Sequence, residues 1–118
     1  MNLLICYKKC STCKGVEKLM QEKGIEYDYR EIDKDNPTAA ELKEWHEKSG
    51  LPITKFFNTS GILYREQGLS EKRKNMTEEE QYEVLATDGM LVKRPLLIGE
   101  DFVIPGFKEA AWKEALNK

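Results

Sequence analysis

Leu3-Leu4-Ile5-Cys6-Tyr7-Lys8-Lys9-Cys10-Ser11-Thr12-Cys13-Lys14-Gly15-Val16 is the stretch on which the reading of this chain turns. Leu3 to Cys6 form a short continuous apolar run, the pattern of a central strand covered on both faces. Tyr7 to Cys13 follow as a polar loop. Val16, Leu19, Met20 and Lys23 then fall at helical spacing, and Gly24 is a natural C-terminal stop. Ile25-Glu26-Tyr27-Asp28-Tyr29 alternates apolar and polar residues, which predicts a second strand. Strand, helix and strand in this order make a βαβ unit, whose crossover is right-handed.

The chemistry of the opening stretch follows from its position. Thiolate, not thiol, is the reactive form of cysteine, and a free thiol titrates near pH ~8.5. A helix N-terminus presents unpaired N–H groups and a partial positive charge, so a thiolate there is stabilised. Cys10 is expected just ahead of the first turn, with the Ser11, Thr12 and Cys13 N–H groups pointing at its sulfur and Lys8, Lys9 and Lys14 adding positive charge. Cys13 is one turn deeper, so Cys10 is read as the nucleophile and Cys13 as the resolving thiol. Cys6 lies in the apolar strand and reads as a small core hydrophobe. One Cys pair lacks the second pair that a structural zinc site needs, and no metal is expected. His46 sits among Glu44, Glu47 and Lys48 and reads as a solvated surface residue.

Outward from this unit the pattern changes. Asn36-Pro37 breaks the chain, and Thr38-x-x-Glu41 opens a helix carrying Leu42 and Trp45 that ends at Ser49-Gly50. Leu51 to Phe57 is a compact apolar patch with turn residues Asn58 to Gly61 after it. Thr77-x-x-Glu80 starts another helix, with Tyr82, Val84 and Leu85, that stops near Asp88-Gly89. Residues 36–88 therefore read as a helical insertion. Leu96-Leu97-Ile98 and Phe102-Val103-Ile104 flank Gly99-Glu100-Asp101 at hairpin spacing, and Phe107 to Leu116 has helical periodicity. The order is βαβ, helical insert, ββα. Arg94-Pro95 directly precedes the third strand, where proline can take cis geometry at a defined turn. In a thioredoxin-like layout this turn faces the Cys loop, and Arg94 would set a fork of donors beside an oxyanion or carboxylate there.

The 118 residues suit one domain, 1–118, and are 40% hydrophobic and 34% charged with a net charge of −2. Balanced charge argues against nucleic acid as a direct partner, since phosphate neutralisation needs a basic surplus. No stretch approaches the ~18 apolar residues of a membrane span, and the apolar start is too short for a signal peptide, so the expected location is cytoplasmic.

Four motifs in this order resemble the ArsC/Spx family: Tyr7 to Lys14, Lys55-Phe56-Phe57-Asn58-Thr59-Ser60-Gly61, Lys93-Arg94-Pro95-Leu96, and Gly106-Phe107-Lys108-Glu109. The resemblance runs nearly end to end. It implies an α/β, thioredoxin-like (glutaredoxin-like) mixed four-stranded sheet with a helical insert, and marks Pro95 as the family's cis-proline. The family's arsenate reductases use a cysteine at the position of Cys10, pass the disulfide to glutathione and glutaredoxin, and hold the oxyanion with three arginines. Arg94 matches one of these, Lys55 stands for the second, and near Ile104-Pro105 there is no cation. Spx-like members instead use Cys-x-x-Cys as a redox switch and bind the RNA polymerase α subunit's C-terminal domain.

The implied activity is a thiol-disulfide oxidoreductase with Cys10 and Cys13 as its thiols and Arg94, Lys55, Ser11 and Thr12 as anion-binding residues. It would hold no bound cofactor, draw electrons from glutathione, glutaredoxin or thioredoxin, and act as a monomer. The alternative is a redox-switched regulator partnered with the polymerase α subunit. A third reading, two free thiols with no redox work, predicts that Cys10→Ser changes no activity.

Overall fold

The computed structural model describes residues 2–7 and 9–116. Strand β1 (Asn2–Cys6) is followed by helix α1 (Ser11–Glu22) and by β2 (Tyr27–Glu31), which pairs parallel to β1 with Leu4 opposite Tyr29. β3 (Leu96–Ile98) pairs antiparallel to β1, and β4 (Val103–Pro105) antiparallel to β3. The resulting mixed sheet has the order β2-β1-β3-β4, and α6 (Glu109–Leu116) closes the described chain. This is the expected α/β sheet.

Because side chains alternate across a strand, β1 feeds two cores. Leu4 and Cys6 point to the side of α1 and α6, where they meet Cys13, Val16, Met20, Leu97 and Trp112. Trp112 is fully buried, and its indole N–H donates to Gly106 O at 3.1 Å. Ile5, Leu96, Ile98 and Val103 point the other way, into a cluster completed by Leu42, Trp45, Phe56, Phe57, Tyr82 and Leu85 of residues 36–88. The insertion thus shares its apolar contacts with the sheet.

Local signals explain the insert's helices. α2 (Ala39–Ser49) and α5 (Glu78–Thr87) each begin with a reciprocal capping box, Thr38 with Glu41 and Thr77 with Glu80, which satisfies otherwise unpaired N–H groups. Gly50 ends α2 at φ 67°, in the left-handed region. Between α2 and α5 lie a 3₁₀ turn at Ile53–Phe56 and two short helices, α3 (Ile62–Glu66) and α4 (Leu69–Lys72).

Two expected boundaries move. The second strand begins at Tyr27 instead of Ile25, because the Ile25 N–H reaches back to Met20 O and the Gly24 N–H to Gln21 O, ending α1 through a paired closure. The last strand begins at Val103 instead of Phe102, whose carbonyl is used by the Gly99 N–H at 2.8 Å to close the hairpin loop. His46 also departs from expectation. Its side chain is only 12% exposed, its Nδ1 lies 2.6 Å from the Tyr82 hydroxyl, and its ring meets the Phe56 edge, because α5 packs over α2 there.

Among the described residues, no helix is long and apolar enough to cross a membrane, and no cluster of three His, Cys, Asp or Glu side chains could hold a metal ion.

Candidate functional site: a buried thiol behind an accessible one

The chain leaves β1 at Cys6 and turns sharply, with the Cys10 N–H donating to Tyr7 O at 2.9 Å. Cys10 is the N-cap of α1, in extended conformation, and its carbonyl accepts the first helical bond from the Lys14 N–H. Cys13 therefore falls in the first turn and faces inward beneath that loop. All three cysteines are free thiols: Cys10 is half-buried, whereas Cys6 and Cys13 are fully buried.

The polar influences of the loop converge on one sulfur. Cys13 Sγ accepts from the Tyr7 N–H at 3.5 Å, and the thiols of Cys6 and Cys10 lie close enough to act on it as well. These donors, with the Cys6 thiol the largest influence and the nearby Arg94 charge a further one, outweigh burial and lower Cys13 from 9.0 to about 6. Cys6, as donor, is pushed far up, first by its bond to Cys13 and then by burial.

This corrects the expectation that α1's first N–H groups would gather on Cys10. Among the described residues, no backbone N–H caps the Cys10 side chain. The sulfur that meets the loop's donors is Cys13, three residues on and one turn deeper. Ser11 and Thr12 are exposed, and neither side chain makes a hydrogen bond among the described residues. Lys9 and Lys14 are exposed beside the loop, while Lys8 lies outside the described residues.

The Arg94–Pro95 peptide bond is cis, and Pro95 is buried with its carbonyl taken by the Gly106 N–H at 2.8 Å. Arg94 is placed over the Tyr7 ring, 5.3 Å from its centroid, and its Nη1 lies 3.8 Å from Met90 Sδ. Tyr7 thus connects the three parts of the site: its ring carries the guanidinium, its N–H reaches Cys13, and its carbonyl holds the Cys10 turn. Lys55 is elsewhere. It lines concavities with Lys108 and Pro105, whereas Arg94 lines one with Asn58, Ser60 and Ile62.

The model of the ArsC family matches residues 6–115. The chain belongs to the ArsC family. It is 49% identical, over 92% of its own length and 92% of the relative's, to the uncharacterized protein YusI of Bacillus subtilis (strain 168). An ArsC family related protein from Bacteroides fragilis superposes with a TM-score of 0.91 at 53% identity, covering 96% of this chain and 95% of that one. A possible arsenate reductase from Streptococcus mutans UA159 gives 0.90 at 39% identity, covering 100% and 98%. The chain shares the thioredoxin-like fold of these proteins and belongs to a thiol-oxidoreductase-like family.

In this ArsC-family chain, three participants were not legible as site residues. Tyr7 is part of the sequence motif, but nothing in its spacing reveals that it underlies Arg94. Met90 lies four residues before Arg94 and contacts its guanidinium. Tyr29 of β2 has a buried hydroxyl without a hydrogen-bond partner among the described residues, and burial together with Glu17 and Cys6 pushes it up. The period-2 alternation of β1 and β2 was the one available signal, since it sets Cys6 and Tyr29 on the same sheet face as Cys13.

Proposed function

We propose that the chain is a thiol-disulfide oxidoreductase in which Cys10 attacks and Cys13 first serves as its base and then resolves. One observation carries the reading: half-buried Cys10 caps α1 one turn ahead of the fully buried Cys13 sulfur, which takes the Tyr7 N–H and whose environment favours its anion. A proton leaving Cys10 has an acceptor already in place. The Cys10 thiolate attacks one sulfur of a disulfide, forming a mixed disulfide and expelling a thiolate, which leaves as thiol with the proton now on Cys13. Cys13, anionic again, attacks Cys10 Sγ; the intramolecular disulfide forms and the second thiolate departs. Two electrons pass from the protein to the substrate. Glutathione, glutaredoxin or thioredoxin are the reductants that would restore the dithiol.

Arsenate fits this site less well. Among the described residues, Arg94 is the one guanidinium lining its concavity, and Lys55 lines others. A lysine in place of a second arginine also lacks the bidentate fork.

The test uses reduced protein with a small disulfide, analysed by intact mass. The wild type should pass to an internal Cys10–Cys13 disulfide with no adduct retained. Cys13→Ser should accumulate the mixed disulfide at Cys10, and Cys10→Ser should form neither. A mixed-disulfide yield in Cys10→Ser equal to that in Cys13→Ser would refute the assignment.

A further inference from the structure

The concavity beside Arg94 has a volume of about 490 Å³ and is lined by Asn58, Ser60, Ile62, Leu63, Met90 and Arg94. That volume falls within the ~300–1,000 Å³ of small-molecule sites and exceeds what a bare tetrahedral oxyanion fills. Its chemistry is divided. Arg94 supplies a guanidinium with no carboxylate partner among the described residues, steadied between the Tyr7 ring and Met90 Sδ. The same lining carries Ile62, a large hydrophobic side chain left 66% exposed, with Leu63 next to it as an apolar wall.

The wall is held in place by its neighbours. Asn58 N–H donates to Leu91 O at 2.8 Å, Asn58 Nδ2 to Met90 O at 3.4 Å, and Gly61 N–H returns to Asn58 O at 3.0 Å. A Cβ at Gly61 would come within 2.8 Å of Asn58 Nδ2, so glycine is what lets the amide lie there. Asn58 Oδ1 and Ser60 make no hydrogen bond among the described residues and remain available to a ligand.

We propose that this concavity seats one half of a small organic disulfide, its carboxylate on the Arg94 guanidinium and its apolar body against Ile62 and Leu63. The inference rests on the thiol-disulfide reading and names its substrate class. A lone guanidinium pairs with a monoanionic carboxylate through two parallel N–H···O bonds, whereas a multiply charged oxyanion would leave most of its oxygens facing apolar side chains. Arg94 lies over the Tyr7 ring and the Tyr7 carbonyl holds the Cys10 turn, so a carboxylate on Arg94 is held next to that turn. The covalent step is the one above: Cys10 bonds to the seated sulfur, the unseated half leaves as thiol, and Cys13 displaces the seated half.

The experiment mixes reduced protein with each of three symmetric disulfides: dithiodipropionate, hydroxyethyl disulfide and cystamine. The rate of internal disulfide formation is followed by quenched alkylation, with the protein as sole reductant. The wild type should oxidise with the carboxylated disulfide about tenfold faster than with the neutral one, as a charge-assisted bond supplies. Cystamine should be slowest. Arg94→Met should bring the carboxylate-to-neutral ratio to near one, and because a ratio is read, any general effect of Arg94 on the thiols cancels. Lengthening the carboxylated disulfide by a methylene should raise the wild-type rate by about two- to fourfold and leave exposed-site Ile62→Ser unmoved. Oxidation by the neutral disulfide with no carboxylate preference, or a preference that survives Arg94→Met, overturns this inference and leaves the oxidoreductase reading intact. Inertness toward all three overturns both.

Discussion

Replacing Cys6 by alanine should raise the pH at which Cys13 ionises, and the structure sets how far. Cys13 falls from 9.0 to about 6, and the Cys6 thiol is the first of the causes. Three units correspond to about 4 kcal/mol of preference for the anion, at 1.36 kcal/mol per unit. A hydrogen bond to a charged group accounts for about 1.5–3 kcal/mol, so losing the Cys6 donor should move the midpoint upward by about one to two units. The Tyr7 N–H and the position-10 donor would still hold it below the ordinary thiol value. The assay is the ultraviolet absorbance of thiolate against pH, in a Cys10→Ser background whose hydroxyl keeps a donor at that position. Cys6→Ser, which restores a donor of similar size, should recover most of the shift, while a thermal melt confirms that both variants are folded. A midpoint that stays put in folded Cys6→Ala, or falls, would refute the argument.

The same shift has a consequence for stability, since a thiol lowered on folding stabilises the folded state most where the unfolded thiol is also ionised. For Cys13 the contribution is complete above pH 9 and is lost as pH falls toward about 6, so chemical unfolding should show stability rising with pH across that window. Cys6 has the opposite sign and removes stability above its ordinary value of 9.0. Cys13→Ser should flatten the rise between pH 6 and 9. In α2, Glu41 is lowered by the paired bonds from Arg30 at 2.7 and 3.0 Å, so Glu41→Gln should cost about 1 kcal/mol at neutral pH, discounted for exposure, and nothing in acid below the depressed value. Gly99→Ala would set a Cβ 2.3 Å from the Phe102 ring and should cost about 1–3 kcal/mol by displacing it, read from the denaturation midpoint. Thr77→Ala removes the cap of α5 and should cost about 1 kcal/mol.

Local interactions wrote what the sequence shows by itself. The apolar run of β1, the period of α1, the stop at Gly24 and the two capping boxes are each decided within a few residues, so the element order and four-stranded sheet could be read without coordinates. Cys10 and Cys13 are visible for the same reason, being three residues apart at a helix start. Tertiary structure decided what each thiol experiences. The parity of β1 turns Cys6 toward Cys13, and the fold of the following loop aims the Tyr7 N–H at Cys13 instead of Cys10. His46 is covered because Tyr82, 36 residues away, docks across it. Lys55 and Arg94 share a charge sign and a sequence motif order, yet they line different hollows. Backbone periodicity acts over one or two turns and leaves its mark in the order of residues. Hydrogen bonds and charges act through space between residues that only the packed chain makes neighbours.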